Sequence, residues 1–197
     1  MMRQFLPLAL ALSGALALGG CISFGEDPPA QLMSLSSDAR VAANTAKTVT
    51  DKEAISVGLI TAPTPLRNQR VAVRSNDSFA YLPKTAWADE PARLFRNVLA
   101  ETIEAKTGRF VPDSRNPSIT PATRLGGSLV AFQLLGGQGK VLVIYDATVA
   151  REGSDQIRAR RFESTAPVAS EDSRAVVEAL NRASNAIATD VADWVVQ

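Results

Sequence analysis

Between positions 87 and 106 the larger apolar residues fall at 87, 94, 95, 98, 99 and 103, one face of a 3.6-residue period. The spacing predicts a helix from Trp87 to Lys106, with Asp89 and Glu90 in its first turns, where the helix dipole favours negative charge. Pro91 is tolerated there because early helical N–H groups lack internal partners, and Gly108 is a natural stop. A second helix is marked by Val176, Val177, Leu180, Ile187, Val191, Trp194 and Val195, opened by Ser170-Glu171-Asp172 and thinned by Ala183 and Ala186. Period-two runs predict strands at Ile55–Ile60, Arg70–Arg74, Phe79–Leu82, Gly127–Leu135, Lys140–Val149 and Gln156–Ser164, with a weaker first strand in Gln31–Ser37 and a brief one at Arg109–Val111. Ser75–Ser78 reads as a hairpin turn, Ser36–Asp51 as a long loop with a helical turn near Ala39–Ala43, and Pro112–Pro121 as a second loop. Alternation slips at Arg160-Arg161, which points to a bulge. The expected fold is α+β: a mainly antiparallel sheet with the two long amphipathic helices packed on one face.

The N-terminus has a different pattern. Arg3 precedes an apolar run, Phe5–Leu18, of roughly 14 residues, short of the ~20 that a spanning helix needs. The run ends in Leu18-Gly19-Gly20-Cys21, and Cys21 is the one cysteine of the chain. A positive start, a short apolar core and small residues before cysteine fit a lipoprotein signal peptide over 1–20, with Cys21 as the lipid attachment site. Three acyl chains at ~0.8 kcal/mol per buried methylene would hold the protein on a membrane firmly. Ile22, rather than Asp, after that cysteine favours the outer membrane, with the domain facing the periplasm. Residues 21–31, rich in Pro, Gly and acids, read as a tether able to span roughly 30 Å. Residues 32–197 are left as a single domain.

Charge and composition narrow the function. The chain has 21 basic and 20 acidic residues, and Arg3 departs with the signal peptide, so the mature protein is near neutral. This argues against a nucleic-acid partner. The absence of histidine excludes Ser-His-Asp and Cys-His catalysis and removes the commonest zinc ligand. Gly136-Gly137-Gln138-Gly139-Lys140 looks superficially like a phosphate loop, but Val141 opens a strand where such a loop needs Ser or Thr and a helix. No enzymatic role, cofactor or metal is expected. The remaining contact candidates are Trp87 and Trp194, read as one in each helix, and the basic cluster Arg158, Arg160 and Arg161. Core packing and a solvated strand face are the ordinary roles of these residues. The alternatives are a shared lipid or protein groove for the tryptophans and an acidic partner surface for the arginines.

The order of features resembles the ABC-type transport auxiliary lipoproteins, the family of the paraquat-inducible protein C lipoproteins. The resemblance rests on Cys21, on Pro63-Thr64-Pro65-Leu66 after a strand, on the Arg70–Arg74 strand and on Tyr81-Leu82. Its most specific piece is Trp87-Ala88-Asp89-Glu90-Pro91, similar to the family's Trp-Ala-Glu-Pro-Leu-like signature, followed by the final helix through Asp193-Trp194-Val195. The chain departs at its opening, where Leu32-Met33-Ser34-Leu35 lacks the family's Tyr-x-Leu. The resemblance implies a periplasmic accessory of an intermembrane lipid transport system. Its partners would be a protein carrying a Mce (mammalian cell entry) domain, linked to an ABC permease and ATPase. A lipid ligand and a homo-oligomer stay open. The competing reading is an outer-membrane assembly or cell-wall-binding structural lipoprotein.

Overall fold

The computed structural model describes residues 31–113 and 119–197. The signal peptide and Cys21 lie outside the described residues. In chain order the elements are β1 (Leu32–Met33), β2 (Ile55–Thr61), β3 (Arg70–Ser75), β4 (Ser78–Trp87), α1 (Pro91–Thr107), β5 (Thr123–Leu135), β6 (Lys140–Arg151), β7 (Ile157–Pro167) and α2 (Ser173–Val195). All seven strands join one sheet. The fold is therefore α+β; the long ladders are antiparallel, and shorter parallel ones make the sheet mixed rather than purely antiparallel. β3–β4, β5–β6 and β6–β7 pair antiparallel, while β1–β4, β2–β5 and β3–β5 pair parallel. β2 and β3 lie end to end along the same edge of β5, at Thr123–Ser128 and Gln133–Leu135 respectively.

β6 shows how the sheet meets the helices. Val141, Val143, Tyr145, Ala147 and Val149 are all buried, while Leu142, Ile144, Asp146 and Thr148 on the other face remain partly or fully exposed. The buried face packs under α1 and α2, which also pack on each other, with Tyr145 edge-on to Phe95 of α1 at 5.2 Å between ring centroids. Gly136–Gly139 is the hairpin turn between β5 and β6, with Leu135 opposite Lys140.

Helix α1 starts at Pro91, four residues later than the expected start at Trp87. A residue before proline is driven out of the helical region, and Glu90 accordingly sits at φ −57°, ψ 139°. Pro91 is the first helical residue, and Gly108 ends the helix in the left-handed conformation at φ 70°. Trp87 thus belongs to the end of β4, not to a helix, and its backbone N–H donates to the Gln69 carbonyl at 2.7 Å. Other departures are smaller. The first strand shrinks to two residues, and Arg109–Val111 forms no strand, although the Phe110 carbonyl accepts from Ile55 N–H at 3.0 Å. No helical turn forms at Ala39–Ala43.

The loop after β1 instead crosses the outer side of the helix pair. Its backbone N–H groups at Ser36, Asp38 and Val41 donate to Asn181, Asn185 and Glu101 at 2.8–3.0 Å, and Ser37 Oγ meets Thr102 Oγ1 at 2.8 Å. Polar side chains on otherwise apolar helix faces thereby hold a strap that has no ladder of its own.

The N-cap of α2 is Asp172 rather than Ser170. Its carboxylate accepts from the Arg174 and Ala175 N–H groups at 3.0 and 3.1 Å, and Ser170 Oγ donates to it. The Ser170 hydroxyl, with the Ala175 N–H, holds the Asp172 carboxyl below its ordinary range. Asp172→Ala should lower the melting temperature by about 2–4 °C at pH 7. Because the carboxyl is depressed in the folded state, its contribution is complete above the unfolded value of about 3.9 and fades as pH falls through the folded value. Melts of the two proteins should therefore begin to converge only below about pH 4 and meet once the pH is under the folded value, and a gap that stays constant with pH contradicts the assignment.

Candidate functional site

The sequence candidates scatter when placed on this frame. Trp87 is fully buried and packs on Phe132 of β5 at 5.6 Å between centroids. Trp194 is 6% exposed, near the far end of α2, edge-on to Phe162 of β7 at 5.5 Å. Thr85 and Ser173 hydroxyls meet, so Trp87 neighbours the start of the 23-residue α2 while Trp194 stands near its end. At 1.5 Å rise per residue the helix separates them by roughly 30 Å, so they do not share one groove.

The three arginines also part company. The β6–β7 ladder runs without interruption from Lys140–Pro167 to Ala150–Ile157, so the expected bulge at Arg160-Arg161 is absent and the two side chains point to opposite faces. Arg158 lies over the Trp194 ring at 4.8 Å and donates to the Trp194 carbonyl at 3.1 Å. Arg160 lies over Phe162 at 4.7 Å. Arg161 forms a two-pronged pair with Asp146 across the ladder, at 2.6 and 2.7 Å. That hydrogen bonding draws the Asp146 carboxyl below its usual range and raises the Arg161 guanidinium further. The cluster is therefore largely engaged within the chain.

The more suggestive surface is the sheet face turned away from the helices, which pattern reasoning along single strands did not isolate. Register places Tyr81 opposite Ala72, Ala72 beside Gln133, Gln133 opposite Leu142 and Leu142 opposite Thr165, all on that face. Phe79, Arg74 and Leu135 form the next row, and Ala131, Ile144 and Glu163 another. Arg70 stacks over Tyr81 at 4.6 Å and Arg74 over Phe79 at 4.9 Å. Neither α1 nor α2 packs on this side, although Ala72, Ala131 and Gln133 are buried there and the Tyr81 hydroxyl donates to the Pro65 carbonyl at 3.1 Å. The face combines half-exposed aliphatics with arginine-stacked aromatics, a composition suited to protein contact.

Tyr145 is the one described group with a strong shift, upward through burial, and its hydroxyl donates to the Gly126 carbonyl at 2.7 Å. Among the described residues there is no group of three or more candidate metal ligands, and no helix is long and apolar enough to cross a membrane.

Comparison with known proteins adds the decisive likeness. The family model described as "ABC-type transport auxiliary lipoprotein component" matches residues 34–192. No curated protein matches the chain. Among solved structures, a Xanthomonas campestris protein is similar at 16% identity and TM-score 0.68, covering 83% of this chain and 94% of its own. A crystal structure described as an uncharacterized protein is similar at 14% identity and TM-score 0.64, covering 84% and 99%. At these identities the structures share the fold.

Proposed function

Since the chain belongs to the ABC-type transport auxiliary lipoprotein family, we propose that it is a non-enzymatic docking component of an intermembrane lipid transport system. It would be held by Cys21 in the outer membrane and face the periplasm. Its partner would be the Mce-domain protein of a transporter whose permease and ATPase are separate chains. The observation that supports docking is the sheet face opposite the helices, where Leu142 and Ile144 stand partly exposed beside the Arg70–Tyr81 and Arg74–Phe79 stacks. Stacked arginine–aromatic pairs offer rigid area at low entropic cost, which is how protein interfaces concentrate their energy. A lipid anchor with a roughly 30 Å tether leaves such a face free to reach a periplasmic partner.

Two substitutions separate anchoring from docking. Cys21→Ser should abolish membrane association while the domain folds normally, read by fractionation and circular dichroism. Leu142→Glu should stay in the membrane but weaken capture of the Mce-domain partner at least tenfold, because a carboxylate is then buried in the contact. Equal capture by Leu142→Glu would reject the sheet face as the docking surface. Membrane retention of Cys21→Ser would remove the lipid anchor from the account.

A further inference from the structure

The C-terminal end of α2 closes over a cavity of about 160 Å³ lined by Ile55, Arg109, Thr123, Arg151, Val195 and Val196. A single water needs only about 10–15 Å³ measured this way, so the space admits a larger polyatomic group. Its accessible lining is mostly polar, and Ile55 and Val195 are themselves buried, each 1% exposed. Its walls carry two guanidinium groups. Arg151 spends one N–H on the Val195 carbonyl at 3.0 Å, and Arg109 makes only a marginal contact with the Glu53 carbonyl at 3.5 Å. Neither forms a salt bridge with a described carboxylate. The carboxylate of Glu53 accepts from the Thr50 N–H and hydroxyl at 3.0 Å each and feels the Arg109 charge from beyond ion-pair contact.

A helix C-terminus normally presents unpaired carbonyls that repel anions. Here Arg151 and Arg158 take up the Val195 and Trp194 carbonyls, at 3.0 and 3.1 Å, so that repulsion is offset. Each guanidinium has five N–H donors in a planar fork that matches paired oxyanion oxygens. Among the described residues Arg151 has no carboxylate at ion-pair distance and Arg109 acts only on the more distant Glu53, so an anion between the two guanidiniums would relieve their mutual repulsion. We propose that the cleft between Arg109 and Arg151 is a binding site for a phosphate oxyanion, free or as a phospholipid headgroup, with Thr123 as an additional hydroxyl partner. This assignment is independent of the docking role of the sheet face.

The test is calorimetric titration of the full chain, purified in uncharged detergent, with inorganic phosphate, glycerol 3-phosphate and dihexanoyl phosphatidic acid below its micelle concentration. Saturable one-to-one binding is expected, weakened at least tenfold by Arg109→Gln, whose side chain holds almost nothing else in the fold. Arg160→Gln, which stacks over Phe162 and lies outside the cavity lining, should change it less than about twofold. Tighter binding of the acylated probe than of glycerol 3-phosphate assigns the headgroup, and equal binding assigns the free oxyanion. No saturable binding of any probe, or binding undiminished in Arg109→Gln, overturns the proposal.

Discussion

Replacing Gly127 by alanine should destabilise the chain by roughly 3–5 kcal/mol, combining overpacking with left-handed backbone strain. Gly127 lies in the middle of β5 at φ 148°, and an added Cβ would press into the backbone carbonyl of Asp146 and approach Tyr145 Cε2 at 2.9 Å. Neither neighbour can yield cheaply. Asp146 belongs to the β6 ladder, and the Tyr145 ring is fixed between Phe95 and its bond to the Gly126 carbonyl. Gly126 is the control: a Cβ there meets only Thr148 Oγ1, at 3.6 Å, an ordinary contact. Gly126→Ala should therefore change stability by less than ~1 kcal/mol, with the lost freedom of the unfolded chain working in its favour. Urea denaturation followed by tryptophan fluorescence compares the two directly, and the Gly127 variant should melt about 10 °C below the parent. Equal losses at both positions would mean that the close approach of β6 to Gly127 is wrong.

The helices were legible because a 3.6-residue pattern is local: α1 buries Leu94, Phe95, Val98, Leu99 and Ile103, and α2 buries Val176, Val177, Leu180, Ile187, Val191 and Val195, as their spacing predicts. The start of α1 was misplaced because acids at 89 and 90 imitate a first turn, whereas the restriction that Pro91 imposes on Glu90 decides the matter. Strand alternation in β6 was likewise readable. Strand partners were not. β2 and β3 share one edge of β5, and both pair with it in parallel through connections that no local pattern encodes. The bulge illustrates the same limit. Consecutive arginines at 160 and 161 look like a slip in period, yet each has a partner on its own face, Phe162 for one and Asp146 for the other. The irregularity in β5 falls between Leu129 and Ala131, inside an apolar run where period cannot be read.

Much of the candidate surface depended on register in the same way. Arg70, Arg74, Phe79 and Tyr81 each appear in the alternation of their own strand, but only pairing brings cation over ring. The strap over the helices did leave a trace. Thr102, Asn181, Ser184 and Asn185 interrupt or border apolar helix faces, and three of them bind the chain between Ser36 and Asp38. A polar residue at a core-facing helical position implies a partner, and here the partners are the Ser36 and Asp38 backbone and the Ser37 hydroxyl. The tryptophans gave the opposite lesson. Equal spacing from apolar neighbours placed both on helices, while the proline at 91 assigns Trp87 to the strand before it.

Trp87→Ala should cost about 3–5 kcal/mol, whereas Trp87→Phe should cost about 1 kcal/mol. The side chain is fully buried, so truncation to alanine leaves a large void beside Phe132, whose ring centroid lies 5.6 Å away. Yet the indole N–H has no hydrogen-bond partner among the described residues. A buried donor without an acceptor carries its full desolvation penalty, on the order of 1–3 kcal/mol. Phenylalanine retains most of the ring contact and removes that donor, so relief of the penalty offsets much of the lost packing. The same position also anchors the edge of the sheet, because Trp87 pairs with Met33 of β1 and the following N–H, of Ala88, donates to the Met33 carbonyl at 2.7 Å. Those contacts are backbone and survive either substitution, which confines the comparison to the side chain. Equilibrium unfolding monitored by far-ultraviolet circular dichroism measures both variants. A phenylalanine variant as unstable as the alanine one would show that the indole N–H is satisfied in solution, and that its bond outweighs the ring's packing.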